Sequence, residues 1–178
     1  MEFRRVVTGV DACGRAVVIS AGAAPRSVDL RSIPDMRSTL VWATERDEPI
    51  ASDGSDPTPS VRSFHPEPGS TRLLVFQFPP DSVYAGPRYD ADAAPADSAQ
   101  AFPGLAELFE SDAPGMHTSE TVDYCIVLAG EPVLELDAGA VCALQSGDIV
   151  VQNGTRHAWR NPGEKPATVA FVLVGASR

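Results

Sequence analysis

Gly115-Met116-His117-Thr118-Ser119-Glu120-Thr121-Val122-Asp123-Tyr124-Cys125-Ile126-Val127-Leu128 decides the reading of this chain. Its second half is an apolar, β-branched run of strand character. Side chains alternate faces along a strand, so His117, Ser119, Thr121 and Asp123 share one side, and Cys125 continues it into the barrel interior. A carboxylate inside such a run is costly unless it is paired or meets a cation. Further on, Ser146-Gly147-Asp148 and Asn153-Gly154 read as turns, and His157-Ala158-Trp159 follows the second of them. Two imidazoles and one carboxylate converging from neighbouring antiparallel strands form a facial ligand set, suited to iron, manganese, nickel or zinc.

Outward from this block, sixteen prolines and fourteen glycines punctuate 178 residues and leave little room for long helices. Short strand-like runs recur at Phe3–Thr8, Ala16–Ser20, Ser38–Thr44, Arg72–Phe78, Val122–Ala129, Val133–Leu136, Val141–Leu144, Asp148–Gln152 and Thr168–Val174. The fold class is therefore all-β, sandwich or barrel. One short helix is expected over Gly104–Glu110, where Leu105, Leu108 and Phe109 follow helical spacing. Glu45–Ser60 and Pro79–Gln100 read as long loops; Tyr84 and Tyr89 are the only large residues of the second. The length suits a single domain, 1–178, with N-terminal strands and loops over 1–100 packed on a core at 113–176.

The formal net charge is −10, with a single lysine and no basic stripe, which argues against nucleic acid or an anionic membrane as partner. No apolar run reaches the length of a membrane span, and the first residues precede no apolar signal core, so a cytoplasmic location is expected. Three widely spaced cysteines, Cys13, Cys125 and Cys142, suggest neither a disulfide framework nor a thiolate zinc site.

The stretch Gly115–Asn161 resembles the two motifs of the cupin superfamily. His117 falls on the first histidine of the first motif, Asp123 on its acidic ligand and Gly130 on its closing glycine. Gly147, Gly154, His157 and Asn161 match the second motif, with one residue fewer between the glycines and Gln152 where proline is usual. The resemblance implies a jelly-roll β-barrel of antiparallel double-sheet type, extended by the N-terminal strands. It implies one divalent metal ion held by His117, Asp123 and His157. Two departures stand out: Ser119 replaces the second histidine, and Asp123 is one methylene shorter than the usual glutamate. Ser119 or water would fill the remaining ligand position. The stretch is also similar to single-domain cupins that accompany natural-product pathways.

The implied activity is a metal-dependent lyase or isomerase of dehydratase or decarboxylase type. Its substrate would be a small organic acid or polyketide-like intermediate, anionic in character. The alternatives are a non-haem iron dioxygenase and a metal-free ligand-binding cupin. Beside the ligand set, Gln152 is a candidate catalytic donor to a substrate carbonyl. Gln77 is expected to point into the barrel, Arg156 to hold a carboxylate, Trp159 to line the pocket mouth and Ser119 to touch substrate. His65, on a loop edge, stays outside the site. The first strands carry Val6, Val7, Val17, Val18 and Ile19 on both faces, so a homodimer that covers them is expected.

Overall fold

The computed structural model describes residues 3–177. Its strands are β1 Arg5–Val10, β2 Ala16–Gly22, β3 Arg26–Asp29, β4 Arg37–Thr44, β5 Thr71–Phe78, β6 Thr121–Ala129, β7 Val133–Glu135, β8 Val141–Ala143, β9 Ile149–Asn153, β10 Ala158–Arg160 and β11 Ala167–Gly175. A six-stranded sheet runs in the order β3-β4-β5-β11-β6-β9 and a three-stranded sheet in the order β10-β7-β8, with β1 and β2 forming a separate hairpin. Every pairing is antiparallel. This is the all-β class read from the strand-like runs, in the jelly-roll form that the motif resemblance implies.

The C-terminal strand β11 holds the centre. Ala167, Val169, Phe171 and Leu173 alternate onto one buried face, and β11 pairs with β5 on one side and β6 on the other. On β5 the inward parity belongs to Arg72, Leu74, Phe76 and Phe78. Arg72 is buried: its guanidinium meets Glu45 at 2.6 Å and donates to the Ser63, Thr44 and Thr71 carbonyls. Gln77 therefore faces outward, where its amide donates to the Asp35 carbonyl at 2.9 Å. The expectation that Gln77 points into the barrel is corrected, because its neighbours Phe76 and Phe78 own the inner face.

Two further expectations change. Pro79–Gln100 is no plain loop: it holds a 3-10 turn at Asp81–Ala85 and helix α1, Ala94–Ala101. Gly104–Glu110, expected to be the helix, keeps only a 3-10 turn at Ala106–Leu108. Helix α1 buries Ala94, Ser98 and Ala101, small residues that leave no large-apolar periodicity to read. Pro95 sits in its first turn, where no amide partner is lost. Asp97 accepts from the Ser32 amide and hydroxyl and ties α1 to the chain after β3. Segment 79–116 is thus an ordered strap that shares a cavity wall with β5 and β11. Strands β3 (Arg-Ser-Val-Asp) and β10 (Ala-Trp-Arg) each hold a single large apolar residue, so neither shows as an apolar run in the sequence.

The β1–β2 hairpin hangs on the rest through Val10 N to Ser52 O and through the Arg5–Asp56 ion pair at 2.6 Å. All of β2 is exposed, with Val18 60% and Ile19 43% accessible. No helix among the described residues is long and apolar enough to cross a membrane.

Candidate functional site

His117 precedes β6 and His157 precedes β10, forty positions apart in the chain, yet they pair as an antiparallel bridge with reciprocal N–H to O contacts of 3.0 and 2.9 Å. Their ring centroids stand 4.3 Å apart. His117 Nδ1 lies 3.1 Å from the Gly115 carbonyl and His157 Nδ1 lies 2.9 Å from the Thr155 carbonyl. A carbonyl oxygen only accepts, so both Nδ1 atoms carry the hydrogen and each neutral ring keeps Nε2 as a free lone pair. Such second-side hydrogen bonds fix tautomer and ring orientation in metal-ligating histidines.

Burial keeps both rings neutral. His117 is pushed down to about 4, first by desolvation and then by His157 beside it; His157 is lowered by desolvation. Folded pKa values below the unfolded value mean that stability is present above about 6.5 and is lost as pH falls through the folded value. For His117 the loss is on the order of 3 kcal/mol. Urea unfolding of metal-free protein at pH 7 and pH 4.5 should show it, and His117→Gln should flatten the dependence; an unchanged slope in that variant would refute neutral burial of the ring.

The parity read from the sequence holds. Ser119, Thr121, Asp123 and Cys125 are all buried on the His117 side, while Glu120 and Tyr124 face out. Thr121 Oγ1 donates to Ser119 Oγ at 2.8 Å. Asp123 Oδ1 is buried without a partner, and desolvation raises this carboxyl to about 6. Burial raises the Cys125 thiol further still, which makes it an inert core group.

His117, His157, Asp123 and Ser119 all belong to the wall of a cavity of about 960 Å³. Among the described residues, however, no three His, Cys, Asp or Glu side chains gather into a group that could hold a metal ion. The two imidazoles meet at the strand bridge, and Asp123 lies on β6 in the same cavity wall. The imidazole pair itself suits a divalent ion, with two neutral rings, both Nε2 free, and room for further ligands.

Gln152, Arg156 and Asn161 act on the frame of the site. Gln152 is buried on β9 opposite Asp123, but its amide nitrogen donates to Thr155 O at 3.0 Å and Thr155 Oγ1 at 2.6 Å. It holds the turn that delivers His157 and is not part of the cavity wall, which corrects its reading as a donor to substrate. Arg156 forks onto Glu110 at 2.7 and 2.6 Å and reaches Asp137 at 2.9 Å. It binds carboxylates of its own chain, so its expected role toward substrate is also corrected. Asn161 donates to Phe78 O and Lys165 O, and its backbone exchanges hydrogen bonds with Asp81. That exchange clamps the strap to the barrel rim. His65 Nε2 accepts from the Glu120 amide at 3.2 Å, a structural contact outside the site.

Trp159 does line the cavity, with its ring edge-to-face against Phe171 at 5.2 Å and near-parallel to Phe78 at 6.3 Å. What the sequence reading missed is the strap's share of the wall: Tyr84, Tyr89, Phe102 and Phe109 all contribute, Phe109 edge-on to His117 at 5.1 Å. The one available signal was the pair Tyr84 and Tyr89 in an otherwise polar, proline-rich stretch.

Residues 108–174 match the family model described as Cupin domain. Over 46 residues the chain is 52% identical to phomopsin biosynthesis cluster protein C' of Diaporthe leptostromiformis, a match covering 26% of this chain and 24% of that protein. Over 62 residues it is 37% identical to the cupin-domain-containing oxidoreductase virC of Hypocrea virens, covering 33% of this chain and 32% of that one. The chain thus spans about a quarter to a third of the length of these curated relatives. Among solved structures it is similar to a cupin 2 conserved barrel domain protein from Salinispora arenicola, at 18% identity and a TM-score of 0.41 over 83% of this chain and 82% of that one. Motif spacing and an antiparallel sheet arrangement with paired histidines agree with the match, so residues 108–174 are similar to a cupin domain.

Proposed function

We propose that this protein is a metal-dependent enzyme of natural-product metabolism, of lyase or isomerase type, acting on a carbonyl-bearing intermediate held in the barrel cavity. One observation carries the reading. The His117–His157 pair, its Nδ1 atoms tied back and its Nε2 atoms free, shares a largely apolar cavity with an unpartnered carboxylate oxygen of Asp123.

His117 and His157 would hold a divalent ion of iron, manganese, nickel or zinc. When bound, that ion supplies Lewis-acid polarisation of a substrate carbonyl. Asp123 takes a proton from the carbon next to that carbonyl and returns it, either to another carbon or to a departing hydroxyl. A carboxyl raised to about 6 is suited to both halves of the transfer near neutral pH. Phe109, Phe171 and Trp159 exclude water from the reacting carbon and limit side reactions. Ser119, with Thr121 behind it, offers a hydroxyl toward the same space.

A second reading, oxidation by dioxygen at an iron ion on the same pair, is supported by the resemblance to a relative named as an oxidoreductase. Metal analysis after reconstitution tests the scheme. We expect one ion per chain in the wild type, loss of the ion together with at least ~100-fold of activity in His157→Ala, and retention of the ion in Asp123→Asn. Wild-type protein that stays metal-free after reconstitution and still turns over would remove the metal from the mechanism. Metal-free protein that binds small molecules without turnover would make it a binding protein.

A further inference from the structure

We propose that Tyr84 and Tyr89 of the strap are ligand-positioning residues, whose phenol groups hold a neutral oxygen of the ligand, a hydroxyl or a carbonyl, on the solvent side of the cavity. This deepens the functional reading above. It rests on that reading for one point, that the substrate binds in this cavity, and it needs no metal ion.

Placement comes first. Residues 79–100 are rich in proline, alanine and aspartate, and Tyr84 and Tyr89 are their two aromatic residues. Both belong to the cavity wall. Tyr84 is 42% exposed, so it stands where the cavity meets solvent, while Tyr89 is half-buried against the main core. Their rings meet edge-on at 5.3 Å. The backbone that carries them is tied down at both ends. Asp81 exchanges hydrogen bonds of 2.7 and 2.9 Å with the Asn161 backbone, and the Asp90 amide donates to the Ser32 carbonyl at 2.9 Å. Two turns close between these anchors, Gly86 N to Val83 O at 2.9 Å and Tyr89 N to Gly86 O at 3.2 Å. The rings are thus presented on a braced loop, which lowers the cost of ordering them around a ligand.

The hydroxyls are the second observation. To fill space, phenylalanine would serve as well. Neither phenol has a hydrogen-bond partner among the described residues, and neither is among the polar atoms shut away from solvent. Tyrosines packed into a protein ordinarily bond their hydroxyl to it. A phenol both donates and accepts, so this pair can give a hydrogen to a carbonyl or exchange hydrogen bonds with a hydroxyl. Desolvation, then Asp81 and Tyr89, raise the Tyr84 phenol to about 12, with Arg160 acting the other way, so it keeps its hydrogen near neutral pH.

Charge decides the kind of oxygen. Asp81, Glu107 and Glu110 line the same wall, and Arg160, the arginine of that wall, already meets Glu135 at 2.6 Å. A carboxylate brought to Tyr84 would stand beside Asp81 and meet no cation that is not already paired.

Equilibrium dialysis of the full chain, treated with chelator so that no ion meets the probes, tests this. The probes are biphenyl, 4-hydroxybiphenyl and biphenyl-4-carboxylate. A hydroxyl favours the aqueous phase, so partition alone would rank biphenyl first. We expect the wild type to bind 4-hydroxybiphenyl at least fivefold more tightly than either of the others. Tyr84→Phe and Tyr89→Phe should each lower that preference and the double variant should erase it, with biphenyl affinity unchanged. The melting temperature should also stay unchanged in both, because hydroxyls that bond to nothing in the protein add nothing to the fold. Equal or tighter wild-type binding of biphenyl or the carboxylate would overturn the proposal. So would a hydroxyl preference that survives in the double variant, or a melting temperature that falls in either single variant. Uptake of an ion and turnover without hydroxyl preference would sink the positioning role alone. The preference in a chain that never takes up an ion would sink the metal chemistry and leave the positioning role standing.

Discussion

Asp123→Asn should make the metal-free protein more stable at pH 8 while reducing turnover of the reconstituted protein by at least ~100-fold. The sign follows from burial. Desolvation raises the folded-state value of Asp123 from 3.8 to about 6. A group raised on folding leaves stability intact below its unfolded value and removes it as pH rises through the folded value. At pH 8 the ionised carboxylate therefore costs the fold on the order of 2–3 kcal/mol. Asparagine keeps the shape without the charge, but its amide needs partners that the apolar wall withholds, which takes back about 1 kcal/mol. The net expectation is a gain of about 1–2 kcal/mol at pH 8 and none at pH 4, read from urea midpoints at both pH values. An equal shift at both would mean that Asp123 is not a buried, ionising group. Stability gained together with activity lost is the pattern of a residue retained for its chemistry.

Gly154→Val should be the most damaging single change near the site, by about 3–4 kcal/mol. Gly154 has φ +58°, in the left-handed region, where a β-branched residue is strained. A Cβ there would also stand 2.8 Å from the Ser119 carbonyl oxygen and 3.3 Å from that of Thr121, both backbone atoms unable to yield. The turn would have to open, and it is the turn that Gln152 ties through Thr155 and that carries His157 into place. We expect a melting temperature lower by at least ten degrees and loss of metal uptake in whatever protein remains folded. Gly154→Asn separates the two causes, because asparagine accepts the left-handed conformation but still carries the Cβ. Recovery in that variant would assign the damage to strain; equal damage would assign it to the close approach of the β6 edge. Wild-type stability in Gly154→Val would refute both.

The sequence by itself determined the all-β class and the inner face that carries Ser119 and Asp123. Alternation in strands is a local property with period two, so Val122–Ala129 and Thr168–Val174 announced their buried faces. The same parity put His117, Ser119 and Asp123 on one side before any partner strand was known. Turn signals at Ser146-Gly147-Asp148 and Asn153-Gly154 are equally local, whereas the arrival of His157 beside His117 was implied by the resemblance to the cupin motifs.

The tertiary structure alone decided what those residues meet. Arg156 looked available to a substrate carboxylate until the strap brought Glu110 and the β7–β8 turn brought Asp137 within reach of its fork. Gln152 looked like a donor to substrate until the following turn folded back onto its amide. Gln77 fell outside because Phe76 and Phe78 bury more apolar surface than it can, and a strand offers its inner face to only one parity. Helix α1 was invisible because alanine and serine bury well yet give no apolar period. The cavity is the clearest case: its wall joins β5, β11, the histidine bridge and the 79–116 strap, segments up to a hundred residues apart. Its volume, and the lone indole N–H that faces no partner, depend on how far those segments stand from one another. No local pattern encodes that distance; packing across the whole barrel sets it.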